Sequence, residues 1–195
     1  TLFRSLDMIA GEAERAKQGL PARITGKVNS LQDPEIINAL YKASQAGVEI
    51  RLNVRGICCL KPGDPKHSKN IEVISVIDRF LEHARLFYFH QGGDGGVYIS
   101  SADWMTRNLE KRVELMIPIE EPTLKRRLVR ILDAYFQDNT QASRLMPDGT
   151  SQRIVRAKGQ KAFRVQDHFY QSARKAAKAR EHERAMTFEP HVPAE

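Results

Sequence analysis

The chain has 195 residues and a formal net charge of +7, with 31 lysines and arginines against 24 aspartates and glutamates. That length suits one domain with a real core plus a small appendage, and the charge favours an anionic partner: a phosphate polymer, a nucleotide, a nucleic acid or a membrane surface. No apolar run approaches the roughly 20 residues of a membrane helix, and no signal peptide is visible. The only cysteines, adjacent Cys58 and Cys59, lack disulfide or metal-ligand spacing, so a soluble cytosolic chain with reduced, buried thiols is expected. A first residue of Thr1 rather than Met reads as a piece of a longer polypeptide.

Residues 3–18 have helical spacing (Phe3, Leu6, Ile9, Ala10, Ala13, Ala16), with Gly19 as a stop and Pro21 beyond it. Residues 23–30 alternate Ile24, Gly26 and Val28 against Thr25, Lys27 and Asn29, a strand rhythm. Asp33-Pro34 opens a helix as N-cap and first-turn proline, and Gly47 closes it. The strand at 48–54 completes a strand–helix–strand unit, which predicts a parallel pair with a right-handed crossover. A polar surface loop follows at 61–70, then a strand at 71–77, a short helical turn at 78–82, and a hairpin of 85–89 with 97–101 across a glycine-rich turn. A strand at 113–119 precedes an amphipathic helix at 122–137 with Leu124, Leu128, Ile131, Leu132 and Tyr135 inward. Residues 139–162 lose hydrophobic periodicity and read as a loop, residues 165–184 as a helix, and the last nine as a frayed tail. The order predicts an α/β domain, a mixed sheet sandwiched by helices. Its division is 1–138 as the catalytic domain, 139–162 as loop or linker, and 163–195 as C-terminal helix and tail.

Chemistry gathers where predicted strands end. His83 stands between Arg79 and Arg85 at the mouth of an apolar strand, where an imidazole can exchange protons near neutrality and serve as general acid or phosphate donor. The bland alternative is a satisfied structural histidine. Arg55 follows a hydrophobic strand and precedes Gly56; ligands collect outside the carboxyl ends of strands in such sheets, and a guanidinium fork suits phosphate oxygens. A surface ion pair would explain it equally. Lys27 and Asn29 share one strand face and reach a phosphate if that face lines a cleft, or are ordinary if it meets solvent. Ser100, Ser101 and Asp103 end the second hairpin strand, where they could hydrogen-bond His83 or a ligand with Trp104 packed behind; Asp103 could instead cap the turn before Asn108. The GGDGG run lacks the GK[ST] ending of a phosphate loop and reads as a hairpin turn. The remaining histidines show no paired metal spacing, so no metal site is expected.

With those residues laid out, the sequence resembles the C-terminal catalytic region of the long bacterial polyphosphate kinases. The resemblance is carried by GLPARITGKVNSLQDPEII, YKASQAGVEIRLNVRGICCL, NIEVISVIDRFLEHARLFYF and VYISSADWMTRNLEKRVELMIPI, over most of residues 12–120. It implies a phospholipase D-like fold, the second of two such domains that face one another across an active site. The phospholipase D pattern H-x-K, then G-S-x-N, would stand here as His83-Ala84-Arg85 and Ser100-Ser101-Ala102-Asp103, with arginine for lysine and aspartate for asparagine. The polyphosphate kinases carry these replacements too. The resemblance implies reversible transfer of the terminal phosphate of ATP to inorganic polyphosphate through a phosphohistidine in a domain absent from this chain, which would be inactive alone. It implies Arg55 as an ATP phosphate contact and His83 as the essential second histidine. Lys27 and Arg85 would line the polyanion path, with Asn29, Ser100, Ser101 and Asp103 in support. It further implies ATP or ADP as substrate and Mg2+ held by residues outside this chain. The remaining domains of the same polypeptide would be partners, in a homo-oligomeric cytoplasmic enzyme peripheral to the inner membrane face, with no specific nucleic acid. Two other readings stay open: a phospholipase D-like phosphodiesterase or nuclease, and a non-catalytic polyanion-binding module.

Overall fold

Alternating strands and helices build an eight-stranded mixed sheet. The computed structural model describes residues 2–186, with side chains through residue 180; the expected frayed tail lies outside the described residues. Helix α1 (Leu2–Lys17) ends at Gly19, whose φ of +74° is the left-handed stop that glycine adopts without strain. It is followed by β1 (Arg23–Val28), α2 (Pro34–Gln45), β2 (Glu49–Val54), β3 (Ile71–Val76), β4 (Arg85–Phe89), β5 (Gly96–Ser100), α3 (Thr106–Lys111), β6 (Met116–Ile119), α4 (Pro122–Tyr135), β7 (Ala142–Leu145), β8 (Ser151–Arg153) and α5 (Val165–Met186). The sheet order is β6-β5-β4-β1-β2-β3-β7-β8. β1, β2 and β3 run parallel, and every other pairing is antiparallel.

The helix starts follow their caps. Asp33 Oδ1 accepts from the amides of Glu35 and Ile36 at 3.1 Å each, satisfying donors that the first turn of α2 would otherwise leave unpaired. The other oxygen of Asp33 accepts from Thr106 Oγ1 at 2.9 Å and ties α3 to α2.

Strand alternation sorts the core into two faces. Ile24, Val28, Ile50, Leu52, Phe87 and Phe89 meet α1 and α2 on one side, and Trp104 stacks on Phe87 with ring centroids 4.7 Å apart. Leu86 and Val97 meet Leu132 of α4 on the other, beside a larger cluster in which Ile74 and Val76 meet Tyr135 and Val165. Helices on both faces of one mixed sheet are the expected α/β sandwich.

Five local expectations are corrected. Residues 139–162 hold the β7–β8 hairpin, which adds to the β3 edge of the sheet, rather than a plain loop. Residues 78–82 form no helical turn; the chain bends through 79–80 and is otherwise irregular up to β4. The strand at 113–119 is shorter, because Val113 and Leu115 are exposed and only 116–119 pairs with β5. Leu124, in the first turn of α4, is exposed rather than inward. Of the two thiols, both free, Cys59 is exposed, and only Cys58 is half-buried, its thiol pushed up to about 11 by burial.

Candidate active site

Strand direction gathers the candidate residues at one edge of the sheet. β1 and β2 are parallel, so their carboxyl ends deliver Asn29 and Arg55 side by side. β4 runs antiparallel to β1, so its amino end, with His83 and Arg85, lies at the same edge. β5 returns antiparallel to β4 and brings Asp103 back there. Four chain segments thus meet at the carboxyl edge of the parallel strands.

Their polar groups form one network. Asp103 Oδ1 accepts from the backbone amides of Asn29 at 2.6 Å and Ser30 at 3.3 Å, and Oδ2 accepts from Arg85 Nη2 at 2.9 Å. Asn29 Nδ2 donates to both Asp103 oxygens and more weakly to the His83 carbonyl at 3.5 Å. Arg85 Nη1 donates to that same carbonyl at 3.0 Å. Arg55 Nε donates to Asn29 Oδ1 at 3.1 Å. Burial alone would push the Asp103 carboxyl up, but the Arg85 guanidinium and the Asn29 and Ser30 amides outweigh it and hold the group below the ordinary aspartate range. Asp103 is therefore a fixed anion that orients Asn29 and Arg85. Two groups are left to face a ligand. Among the described residues Arg55 makes no bond through its Nη atoms, and the His83 imidazole, on an exposed residue, takes no hydrogen bond.

Lys27 sits beneath this edge rather than in a cleft. It is 2% exposed, and its Nζ donates to the carbonyls of Glu82 at 3.1 Å and Ala84 at 3.0 Å, with the Tyr135 ring centroid 5.7 Å away. Desolvation lowers its pKa from the usual lysine value, and the nearby Arg55 and Arg85 add to this while Glu82 and Asp103 oppose it. Its donors are used on the loop that carries His83, so it does not line a polyanion path here. Arg85 is likewise spent on Asp103 and the His83 carbonyl, and its Nε is buried without a partner.

Ser100 and Ser101 do not reach His83. Ser100 Oγ donates to the Leu115 carbonyl at 2.9 Å, and Ser101 Oγ donates to Glu114 while accepting from the Leu115 amide at 3.0 Å. Both pin the chain entering β6. Asp103 caps the end of β1, not the turn before Asn108. Of the eight candidate residues, Arg55, His83, Asn29, Asp103 and Arg85 come together, Lys27 supports them from below, and the two serines serve elsewhere.

Sequence reading missed Asp78, Glu82, Tyr135, Arg164 and Gln166, which hold the irregular segment before β4. Tyr135 Oη donates to Glu82 Oε1 at 3.0 Å, and burial first, then the Glu82 charge, pushes the phenol well above its usual range. Arg164 pairs with Asp78, with Nη2 to Oδ1 at 2.5 Å and Nε to Oδ2 at 2.9 Å. No local pattern marks these contacts, because their partners lie 53 and 86 residues apart.

Among the described residues no group of three or more His, Cys, Asp and Glu side chains could hold a metal ion. The carboxylates nearest the site are engaged, Asp103 by Arg85 and Glu82 by Tyr135. The side chains of this edge therefore do not form a magnesium site.

A sequence model of the family described as polyphosphate kinase C-terminal domain 2 matches residues 4–166. A polyphosphate kinase of Rhodopirellula baltica is 53% identical over 188 residues, which is 96% of this chain and 22% of that protein. One from Pseudomonas aeruginosa is 57% identical over 149 residues, 76% of this chain and 22% of that protein. The crystal structure of polyphosphate kinase from Porphyromonas gingivalis superposes with a TM-score of 0.87 at 40% identity, covering 92% of this chain and 27% of that one. The phospholipase D family member Nuc from Salmonella typhimurium shares the fold, with a TM-score of 0.50 at 14% identity over 69% of this chain and 88% of that one. The chain thus spans about a quarter or less of the polyphosphate kinases it matches.

Proposed function

The chain belongs to the polyphosphate kinase C-terminal domain family, and from that membership we propose that it supplies one half of an active site moving the terminal phosphate of ATP reversibly onto inorganic polyphosphate. The other half, with the histidine that becomes phosphorylated, would come from a second phospholipase D-like domain of the same polypeptide. The observation that carries the reading is the pair left without protein partners at one sheet edge: the Nη atoms of Arg55, whose Nε is held by Asn29, and the imidazole of His83, whose backbone carbonyl is held by Arg85 and more weakly by Asn29.

Phosphoryl transfer depends on positioning and charge neutralisation more than on covalent machinery in the protein. The Arg55 fork would bind two phosphate oxygens at once, where charge accumulates as the bond to the leaving diphosphate lengthens. His83 would donate a hydrogen bond, or its proton, to an oxygen of the transferring or leaving phosphate. Asp103 fixes Asn29 and Arg85, which in turn hold Arg55 Nε and the His83 carbonyl. Magnesium neutralises phosphate charge when bound; its ligands would come from outside this chain, and no step above runs through it. By its family resemblance the intact enzyme would work in the cytoplasm, peripheral to the inner membrane face, as a homo-oligomer.

A phosphodiesterase of the phospholipase D type fits less well. Such an enzyme uses a free lysine at the position of Arg85, and here that guanidinium is committed to Asp103 and to a backbone carbonyl.

In the full-length enzyme, His83→Ala and Arg55→Ala should each lower ATP-dependent polyphosphate synthesis about 100- to 1,000-fold, the cost of removing one pre-placed charge-stabilising donor. Circular dichroism should show an unchanged fold. Normal turnover in either variant would falsify the assignment, and cleavage of a phosphodiester by the purified chain would favour the hydrolase instead.

A further inference from the structure

The segment 77–84 has no regular secondary structure, yet it carries His83. Hydrophobic burial does not fix it, because its own apolar side chains face outward: Ile77 is 66% exposed, Phe80 48% and Leu81 72%. Polar contacts do. Gln166, in the first turn of α5 and 4% exposed, accepts from the Phe80 amide at 2.7 Å and donates to the Phe80 carbonyl at 2.8 Å. One side-chain amide thus closes both backbone groups of a single residue, as a neighbouring strand would. Arg164 grips Asp78 two residues upstream, and Asp78 is nearly buried beneath it. Downstream, Tyr135 and Lys27 hold Glu82, and Lys27, Asn29 and Arg85 hold the carbonyls of His83 and Ala84.

We propose that Gln166 and Arg164 are positioning residues for His83, so that the first turn of the C-terminal helix belongs to the phosphotransfer machinery. The inference rests on the role given to His83 above. Without the clamp the segment keeps its downstream anchors, but its upstream half keeps only the Arg79 guanidinium over the Tyr170 ring of α5, 5.8 Å from the centroid. The imidazole then samples several positions. Displacement of a reacting group by about 1 Å can cost on the order of 100-fold in rate. Glutamine suits the task because it is uncharged and offers one donor and one acceptor at a fixed spacing. Glutamate keeps only the acceptor, and methionine has similar length with neither.

The test uses the full-length enzyme, for kinetics and, with labelled histidine, for NMR. Gln166→Met should lower kcat about 10- to 100-fold with KM for ATP within about twofold, since ground-state contacts to ATP are untouched. Gln166→Glu should not recover the loss, because a carboxylate oxygen then faces the Phe80 carbonyl where the amide donor stood. The His83 ring signal should broaden or split in Gln166→Met, while amides of the β1–β2 pair keep their hydrogen-exchange protection. Arg164→Met, on the half-exposed side of the clamp, should give the same pattern at smaller size and serves if Gln166→Met does not fold. Wild-type kcat in these variants beside an inactive His83→Ala would overturn the clamp, as would a loss of kcat with an unmoved ring signal. Normal turnover in His83→Ala would instead remove the reading beneath it, and the ring signal would still report whether Gln166 holds the segment.

Discussion

The two ends of β4 are held in opposite ways. At its far end the turn 90–95 closes on its own backbone: Gly93 and Gly95 amides donate to the His90 carbonyl at 3.0 and 3.1 Å, and Gln91, Gly92, Gly93 and Gly95 take positive φ. One outside side chain contributes to that closure, the buried Glu12 carboxylate, which accepts from the Gln91 amide at 2.7 Å. At the near end, segment 77–84 has its backbone satisfied by side chains of β1, β4 and α5, with α4 gripping it through Glu82. A turn built mostly from main-chain bonds needs glycines and, here, one neighbouring carboxylate. A loop whose carbonyls are matched to named side chains has one position, and that is the end where His83 sits. Substitutions at the near end should therefore change turnover, and those at the far end should change stability alone.

The strongest break in this contrast is Lys27→Met. It leaves the Glu82 and Ala84 carbonyls without their donor, at about 1–3 kcal/mol each, offset in part because a desolvated ammonium is removed as well. We expect kcat of the full-length enzyme to fall at least about 100-fold, with a smaller loss of stability in urea titration. Turnover within about twofold of wild type would mean that the loop holds its position without the lysine.

Glu12→Leu is the matching change at the far end. It strands the Gln91 amide and the Arg23 amide, which donates to Glu12 Oε2 at 3.1 Å. Unfolding free energy should drop by about 2 kcal/mol, read from the urea midpoint, with kcat per folded enzyme unchanged. A fall in kcat would show that strain at the turn travels along β4, and the two ends would no longer be separable.

The fold was legible in the sequence where signals are local: the Asp33-Pro34 cap, the Gly19 and Gly47 stops, and the alternation of β1 all describe the molecule correctly. The edge hairpin was not, because Ala142 is the only buried residue of β7 and β8 is fully exposed, so no alternation marks either strand. At the site, strand ends pointed to Arg55, His83 and Asp103, since ligand sites collect at the carboxyl edge. Lys27 also stood out, as a charge in an apolar strand, but its acceptors lie 55 and 57 residues away and turn it from a ligand group into a support. Glu12 shows the same limit, since the amides it accepts from lie 11 and 79 residues away.

A smaller effect tests the near end through pH. Asp103 and Asp78 are both held below the ordinary carboxylate range. For Asp103 burial opposes the shift and Arg85 with two backbone amides drives it; for Asp78 the hydrogen bonds from Arg164 come first. An unfolded aspartate titrates near about 3.9. The stability these ionised groups contribute is therefore complete above that value and lost as pH falls through the lower folded values. Asp103→Asn should be less stable than wild type at pH 7, and the gap should narrow steadily in urea titrations taken from about pH 4.5 down to 2.5. A gap independent of pH would show that Asp103 acts through its shape and amide contacts rather than its charge.

The smallest effect is expected at Asp94, in the far turn. It is exposed and makes no side-chain hydrogen bond among the described residues, and its φ of −70° is open to any residue. Asp94→Ser should move the unfolding free energy by no more than about 0.5 kcal/mol and leave kcat unchanged. It removes one negative charge from a basic chain, so any effect on polyphosphate affinity should vanish as salt rises past about 0.15 M, where the screening length is about 8 Å. A change in kcat that survives high salt would place the turn in contact with substrate or with the facing domain. The far end of β4 would then be part of the reaction path, and the contrast between the two ends would reduce to how each is anchored.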